Sequence, residues 1–195
     1  MGSSAVGRPA IFLDRDGVLN ALVLNPATGR MESPLTPEDF RMVPGVIPAL
    51  RRLQEAGYLL ILVSNQPNYA LGKSDWLTLG LIHHKFVTEL ADGGIHFDRF
   101  CYCLHHPKGV VAGFSRSCHC RKPSPWFLLR ARDDFRLSLG ESWMIGDQPT
   151  DVECGRAAGV RTLWIGAGAG AGLVDAGADA VARDLGEGVR IILRS

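Results

Sequence analysis

Residues 10–19 read AIFLDRDGVL: four apolar residues run directly into Asp14 and Asp16, with Gly17 behind them. A short apolar run of this kind suits a strand buried on both faces, and the glycine suits a turn at its end. In an extended chain residues i and i+2 point the same way, so the two carboxylates leave the strand together. Like charges held that close coexist only if a cation lies between them or one of them carries a proton. The motif therefore predicts a Mg²⁺ ion and two carboxylates in different roles, which is the chemistry of phosphoryl transfer. For a bare Asp-x-Asp the plainer alternative is an acidic turn closing a strand, and the rest of the chain has to decide between them.

The pattern recurs. WMIGDQPTDVECGRAAGV runs from an apolar segment into Asp147 and Asp151. Thr150 and Glu153 have the form of a capping box for a helix ending at Gly159, which puts Asp147 at a strand's end and Asp151 in the helix's first turn. ILVSNQ delivers Ser64, Asn65 and Gln66 at the end of another apolar run, and CRKPSPWFLL sets Arg121 and Lys122 ahead of Pro123 and a helical pattern. A hydroxyl and amides can bond phosphate oxygens, and a lysine can neutralise charge that grows on a transferring group. Singly, Ser64 is an ordinary strand-end cap and Lys122 an ordinary surface lysine; in series, four such sites at strand ends are hard to explain as decoration.

Apolar runs near 10–14, 59–64, 97–103, 142–146 and 161–165 alternate with helical patterns near 45–56, 74–92, 123–138 and 150–158. Such alternation predicts an α/β fold with a parallel sheet, whose ligands bind at the carboxyl ends of the strands. Gly57 and Gly159 stand where helices should stop, and Pro44 and Pro123 where they should start. On the helix over 74–92, Trp76, Leu77, Leu81, Phe86 and Leu90 read as core packing, and His83 and His84 as surface or partly packed positions. ALVLNPATGRMESPLTPEDF, between the first two sites, reads as a mobile loop. The run GAGAGAG from Gly166 to Gly172 fits a relaxed dinucleotide fingerprint, but without a following helix, strand and acid it reads as a loop of small residues.

The segment CYCLHHPKGVVAGFSRSCHCRKP gathers soft metal ligands into two clusters. Cys103, His105, Cys118 and Cys120 make CxH, a spacer and CxC, the donor types of a closed tetrahedral Zn²⁺ site, with Cys101, His106 and His119 as competing candidates. Cys101 and Cys154 read as packing residues. A disulfide framework is the other reading of such cysteines, and nothing else in the chain looks secreted.

In this order the motifs resemble those of the haloacid dehalogenase superfamily of phosphohydrolases, matching at Asp14 and Asp16, Ser64, Lys122, and Asp147 with Asp151 over roughly residues 10 to 165. FLDRDGVLN, SNQ and the cysteine–histidine loop bring the chain closest to the D-glycero-D-manno-heptose 1,7-bisphosphate and histidinol-phosphate phosphatases. The resemblance implies a three-layer Rossmann-like sandwich with little or no cap domain, because only one helix and a loop separate Asp16 from Ser64. It implies Asp14 as nucleophile, Asp16 as acid and then base, and Mg²⁺ on Asp14, Asp147 and the Asp16 backbone carbonyl. Ser64 and Lys122 then assist catalysis, while Asn65, Gln66, Arg121 and Gln148 bind substrate. It also selects Cys103, His105, Cys118 and Cys120 as the zinc ligands, in a loop over 101–122. Two positions depart from the family pattern: Leu71 stands where an arginine is usual after the Asn-Gln pair, and Gln148 where a lysine often follows the fourth-motif aspartate.

With 195 residues, and 21 basic against 20 acidic side chains, the chain is expected to form one domain, 1–195, with a substantial core and no electrostatic case for a nucleic-acid or membrane partner. MGSSAVGRPA lacks the apolar core of a signal peptide. The expected protein is a cytoplasmic, monomeric enzyme whose partner is a small phosphate ester; near-neutral charge and the long α/β framework argue against a zinc-ribbon-like binding module, and a catalytically silent member that only binds a phosphorylated ligand would leave Asp16 without a task.

Overall fold

The computed structural model describes residues 7–166 and 177–195. At its centre is a six-stranded sheet built from β1 (Ala10–Leu13), β4 (Leu59–Asn65), β5 (Arg99–Cys103), β6 (Trp143–Gly146), β7 (Arg161–Ile165) and β8 (Ala180–Ala182). The order is β5-β4-β1-β6-β7-β8 and every pairing is parallel. The helices are α1 (Val46–Glu55), α2 (Trp76–Asp92), α3 (Trp126–Phe135), α4 (Pro149–Ala158) and α5 (Leu185–Ile192).

Alternation along β1 explains the three layers. Ile11 and Leu13 face one core, shared with Leu50 and Leu53 of α1, Phe86 of α2 and Val189 of α5. Ala10 and Phe12 face the other, shared with Leu128 of α3 and Cys154 of α4. A strand covered by helices on both sides has no solvent face to keep polar, which is why it reads as an unbroken apolar run. The expected α/β sandwich is the observed one, and Cys101 and Cys154 both lie in the second core.

Other expectations need correction. The segment after Asp16 is not an unstructured loop: β2 (Val23–Asn25) and β3 (Arg30–Glu32) pair antiparallel as a small hairpin, its turn held by the Ala27 N–H on Asn25 Oδ1 at 2.9 Å. On α2, Phe86 and Leu90 are buried as expected, but Trp76 and Leu77 are 62% and 72% exposed and Leu81 is exposed too. The buried stripe is Ile82, Phe86 and Leu90 at a spacing of four; Leu77 and Leu81 share that spacing on a neighbouring stripe that meets no partner in the sheet. Strand β5 and helix α3 are shorter than their apolar patterns, and β8 and α5 add a strand and a helix beyond the last pattern at 161–165. His83 is half-buried and bonds the Tyr102 hydroxyl through Nδ1 at 3.0 Å. Apart from Gly166, the glycine–alanine run lies outside the described residues. No helix among the described residues is long and apolar enough to cross a membrane.

Candidate active site

Strand β1 lies between β4 and β6, with Leu13 level with Leu62 on one side and Ile145 on the other. Asp14 directly follows β1, Ser64 is the last residue but one of β4 and Asp147 directly follows β6, so the three meet at one edge, where the strand order reverses between β1 and β6. The Asp14 N–H is anchored on the Ile145 carbonyl at 2.9 Å. Lys122 reaches the same edge: its Nζ lies 2.9 Å from Asp14 Oδ1 and 2.6 Å from Asp151 Oδ1, and donates to the Val63 carbonyl at 2.8 Å. Burial disfavours the ammonium, but Asp14 and Asp151 outweigh it and hold Lys122 above its ordinary pKa. Asn65, expected at substrate, zips the lysine's backbone instead, accepting the Lys122 N–H at 3.1 Å and donating to its carbonyl at 3.2 Å.

Asp151 sits in the first turn of α4, where its Oδ2 accepts the Gln148 N–H at 3.1 Å. The helix is thus capped by Gln148 and Asp151, two residues before the pair Thr150 and Glu153 that the sequence suggested, because Pro149 takes the first helical position and pushes the cap upstream. Burial, opposed by Lys122, raises the Asp151 carboxyl to about 6. Burial and the Asp14 charge push Asp147 up to about 7, although Gln148 Nε2 donates to its Oδ2 at 3.1 Å.

Among the described residues Asp14, Asp147 and Asp151 present oxygens within 4.8 Å of one another, with Lys122 the cation paired to Asp14 and Asp151. Three carboxylates against one ammonium leave about two negative charges in a buried site, a cost that a divalent cation relieves. Asp147 Oδ1 is buried with no hydrogen-bond partner among the described residues. These residues fit Mg²⁺: Asp151 is committed to Lys122 and the α4 cap, so Asp14 and Asp147 would hold the ion.

Gly17 shows how tightly the site is built. Its φ is +84°, and a Cβ there would lie 2.2 Å from Asp147 Oδ2. Gly17→Ala is expected to cost about 1–2 kcal/mol of stability through the left-handed backbone. It should also displace Asp147, so that half-maximal activity needs more Mg²⁺; a Mg²⁺ titration with unchanged half-saturation would contradict the link.

Asp16 faces differently from Asp14. Its carboxylate accepts from Arg15, Asn20 and Gln66, and although burial alone would raise its pKa, the Arg15 guanidinium and these hydrogen bonds hold it below the usual carboxylate range. Gln66, expected among the substrate contacts, is 2% exposed and bonds Asp16 and Ser64. Sequence reasoning missed Arg15, and the available signal was a charged residue inside the Asp-x-Asp of a wholly apolar strand end.

The cysteine–histidine loop closes as expected. Cys103, His105, Cys118 and Cys120 bring their ligand atoms within 4.8 Å of one another. The sulfurs stand 3.4–3.5 Å apart and His105 Nδ1 lies 3.6 Å from Cys120 Sγ. A tetrahedral zinc with Zn–S bonds of about 2.3 Å separates its sulfurs by roughly 3.8 Å, and a disulfide requires about 2 Å; all five cysteines are free. Burial raises the Cys103 thiol, whereas bonds from Cys120 and Cys103 outweigh burial at Cys118 and lower it. The donor set fits structural zinc. Cys120 runs straight into Arg121 and Lys122, and Arg121 also bonds the His105 carbonyl at 3.4 Å.

These groups line a cleft of about 420 Å³ whose walls include Asp14, Asp16, Asn65, Arg121, Lys122, Asp147 and Gln148. The hairpin adds Met31, Glu32 and the adjoining Ser33. Lys73 pairs with Glu32 at 2.7 Å and straps the hairpin to the segment after β4; with Thr28 and Asn25 it holds the Glu32 carboxyl down at about 2.

Residues 119–188 match the Hydrolase_like family model, described as HAD-hydrolase-like. D-glycero-beta-D-manno-heptose-1,7-bisphosphate 7-phosphatase of Yersinia pestis is 38% identical over 154 residues, 79% of this chain and 78% of that one. The enzyme of that name from Escherichia coli K12 is 38% identical, covering 79% and 76%. A crystal structure of D,D-heptose 1,7-bisphosphate phosphatase from B. bronchiseptica, complexed with magnesium and phosphate, superposes with a TM-score of 0.76 at 28% identity, covering 95% of this chain and 98% of that one.

Proposed function

This chain belongs to the HAD-like family of D-glycero-beta-D-manno-heptose-1,7-bisphosphate 7-phosphatases, and from that membership we propose that it removes the 7-phosphate of a heptose 1,7-bisphosphate through a phosphorylated Asp14. The supporting observation is the meeting of Asp14, Asp147 and Lys122 at one sheet edge, inside a cleft large enough for a small sugar phosphate. Asp14 Oδ attacks phosphorus in line and the bond to the sugar oxygen breaks; Asp16, ionised before substrate arrives, takes the proton carried by the phosphate monoester and passes it to that oxygen. Asp16 then takes a proton from the water that attacks phosphorus and releases Asp14. Lys122, charged throughout, faces the non-bridging oxygens with Arg121 and Ser64. Bound Mg²⁺ supplies charge neutralisation and alignment of the phosphate with the nucleophile. Zinc takes no part in the chemistry; its loop aims Arg121 and Lys122.

Leu71 and Gln148 leave fewer cations for a second phosphate than the family pattern provides, and Lys73 is already paired with Glu32. The advantage of bisphosphate over the matching monophosphate should therefore be modest. Each missing charge-assisted contact is worth on the order of 1.5–3 kcal/mol, or at least about tenfold in affinity. A screen of heptose 1,7-bisphosphate, heptose monophosphates and histidinol phosphate, with Mg²⁺ and with EDTA, tests the reading. Heptose bisphosphate should lead, and EDTA should silence every substrate. Turnover of histidinol phosphate with none of heptose bisphosphate would overturn the substrate assignment.

A further inference from the structure

The Asp16 carboxylate is gripped on both oxygens. Oδ1 accepts from Arg15 Nε at 3.2 Å, Arg15 Nη2 at 3.0 Å and Asn20 Nδ2 at 3.0 Å; Oδ2 accepts from Gln66 Nε2 at 2.5 Å and Arg15 Nη2 at 3.3 Å. Gln66 ties the set together, because its Oε1 accepts from Arg15 Nη2 at 2.9 Å and its Nε2 also meets Ser64 Oγ at 3.0 Å. Its backbone N–H bonds the carbonyl of Cys103, the first residue of the zinc cluster, at 2.8 Å. Arg15 and Gln66 are each only 2% exposed.

Neither residue lines the catalytic cleft. Both instead form a wall of a separate cavity of about 310 Å³, with Trp76, His83, Phe100 and Tyr102 around it. The Arg15 guanidinium lies over the Tyr102 ring at 5.9 Å. Hydrogen bonds therefore set the orientation of this buried pair on the side that the cavity leaves open. A fork of guanidinium donors fixes the plane of a carboxylate in a way that a single point charge cannot.

We propose that Arg15 and Gln66 are positioning residues that fix the direction of the Asp16 carboxyl for proton transfer to the leaving oxygen, and that neither touches substrate. This rests on Asp16 being the general acid. A misdirected acid harms the substrates that need one, so the effect belongs in kcat and grows with the basicity of the leaving group.

The test compares Gln66→Met, which keeps side-chain volume beside an open cavity, with Arg15→Lys, which keeps charge but loses the fork, and with Asp16→Asn as reference. Kinetics are measured on a sugar or alkyl phosphate and on p-nitrophenyl phosphate. Both variants should lose at least about tenfold in kcat/KM on the alkyl ester, with little change in kcat/KM on the aryl ester, because that ratio reports the transfer to Asp14 and not the later base step; on the alkyl ester the loss falls in kcat rather than KM. Equal loss on the two esters, or a change confined to KM, would overturn the proposal. If Asp16→Asn shows the leaving-group dependence and the two variants do not, positioning alone is wrong; if Asp16→Asn also lacks it, the acid assignment falls and takes the positioning with it.

Discussion

Asp14→Asn is expected to abolish turnover, lowering kcat by at least about four orders of magnitude, the scale lost when a covalent nucleophile is removed. The amide keeps the shape and an acceptor for Lys122, which lies 2.9 Å from Asp14 Oδ1, so the fold should survive. It also removes one of three carboxylates crowded within 4.8 Å, which relieves repulsion and should leave the melting temperature unchanged or higher. Phosphate esters should still bind, since Arg121 and Lys122 remain, and calorimetric titration of the variant checks that. Near wild-type activity in Asp14→Asn would show that the nucleophile is another group.

Cys118→Ser is expected to lower zinc content and melting temperature together, and to cut activity about 10–100-fold by loosening the strand of chain that leads through Cys120 to Arg121 and Lys122. Zinc held by four closed ligands contributes apparent binding energy of about 10–16 kcal/mol in small domains, as large as the whole stability of many folds. The loss should fall on KM or kcat without removing Asp14 chemistry, because the Asp14 backbone is fixed by β1 and the Ile145 carbonyl and not by the loop. Elemental analysis and thermal melts read the outcome. A folded, active protein without zinc, or a Cys118–Cys120 disulfide in its place, would contradict the assignment.

The sheet was legible because β1, β4 and β6 are covered on both faces and so leave unbroken apolar runs that end in chemistry-bearing residues. Convergence of Asp14 and Asp147 followed from parallel topology, which carries every strand's C-terminal end to one edge; Lys122 arrives from the segment between β5 and α3, held there by Asn65. Less could be read where a pattern fits two answers. Leu77 and Leu81 have the same helical spacing as Ile82 and Phe86, and only the sheet decides which stripe is covered. The hairpin at 23–32 has strands of three residues, too short for alternation to show, and its stability comes from Asn25, Thr28 and Lys73 gathering on Glu32. Asn65 and Gln66 are the residue types that bind phosphate oxygens, but what each amide bonds is set by neighbours distant in sequence: Asn65 lines the cleft with its amide on the Lys122 backbone, and Gln66 turns to Asp16 and Arg15.

The central claim is that phosphorus passes through Asp14. Wild-type protein with Mg²⁺, mixed with substrate radiolabelled in its scissile phosphate and quenched in acid within the first turnover, should carry label on the peptide containing Asp14, and Asp14→Asn should carry none. Full turnover with no label on the protein would mean that water attacks the substrate directly, and the account built on Asp14 would be wrong.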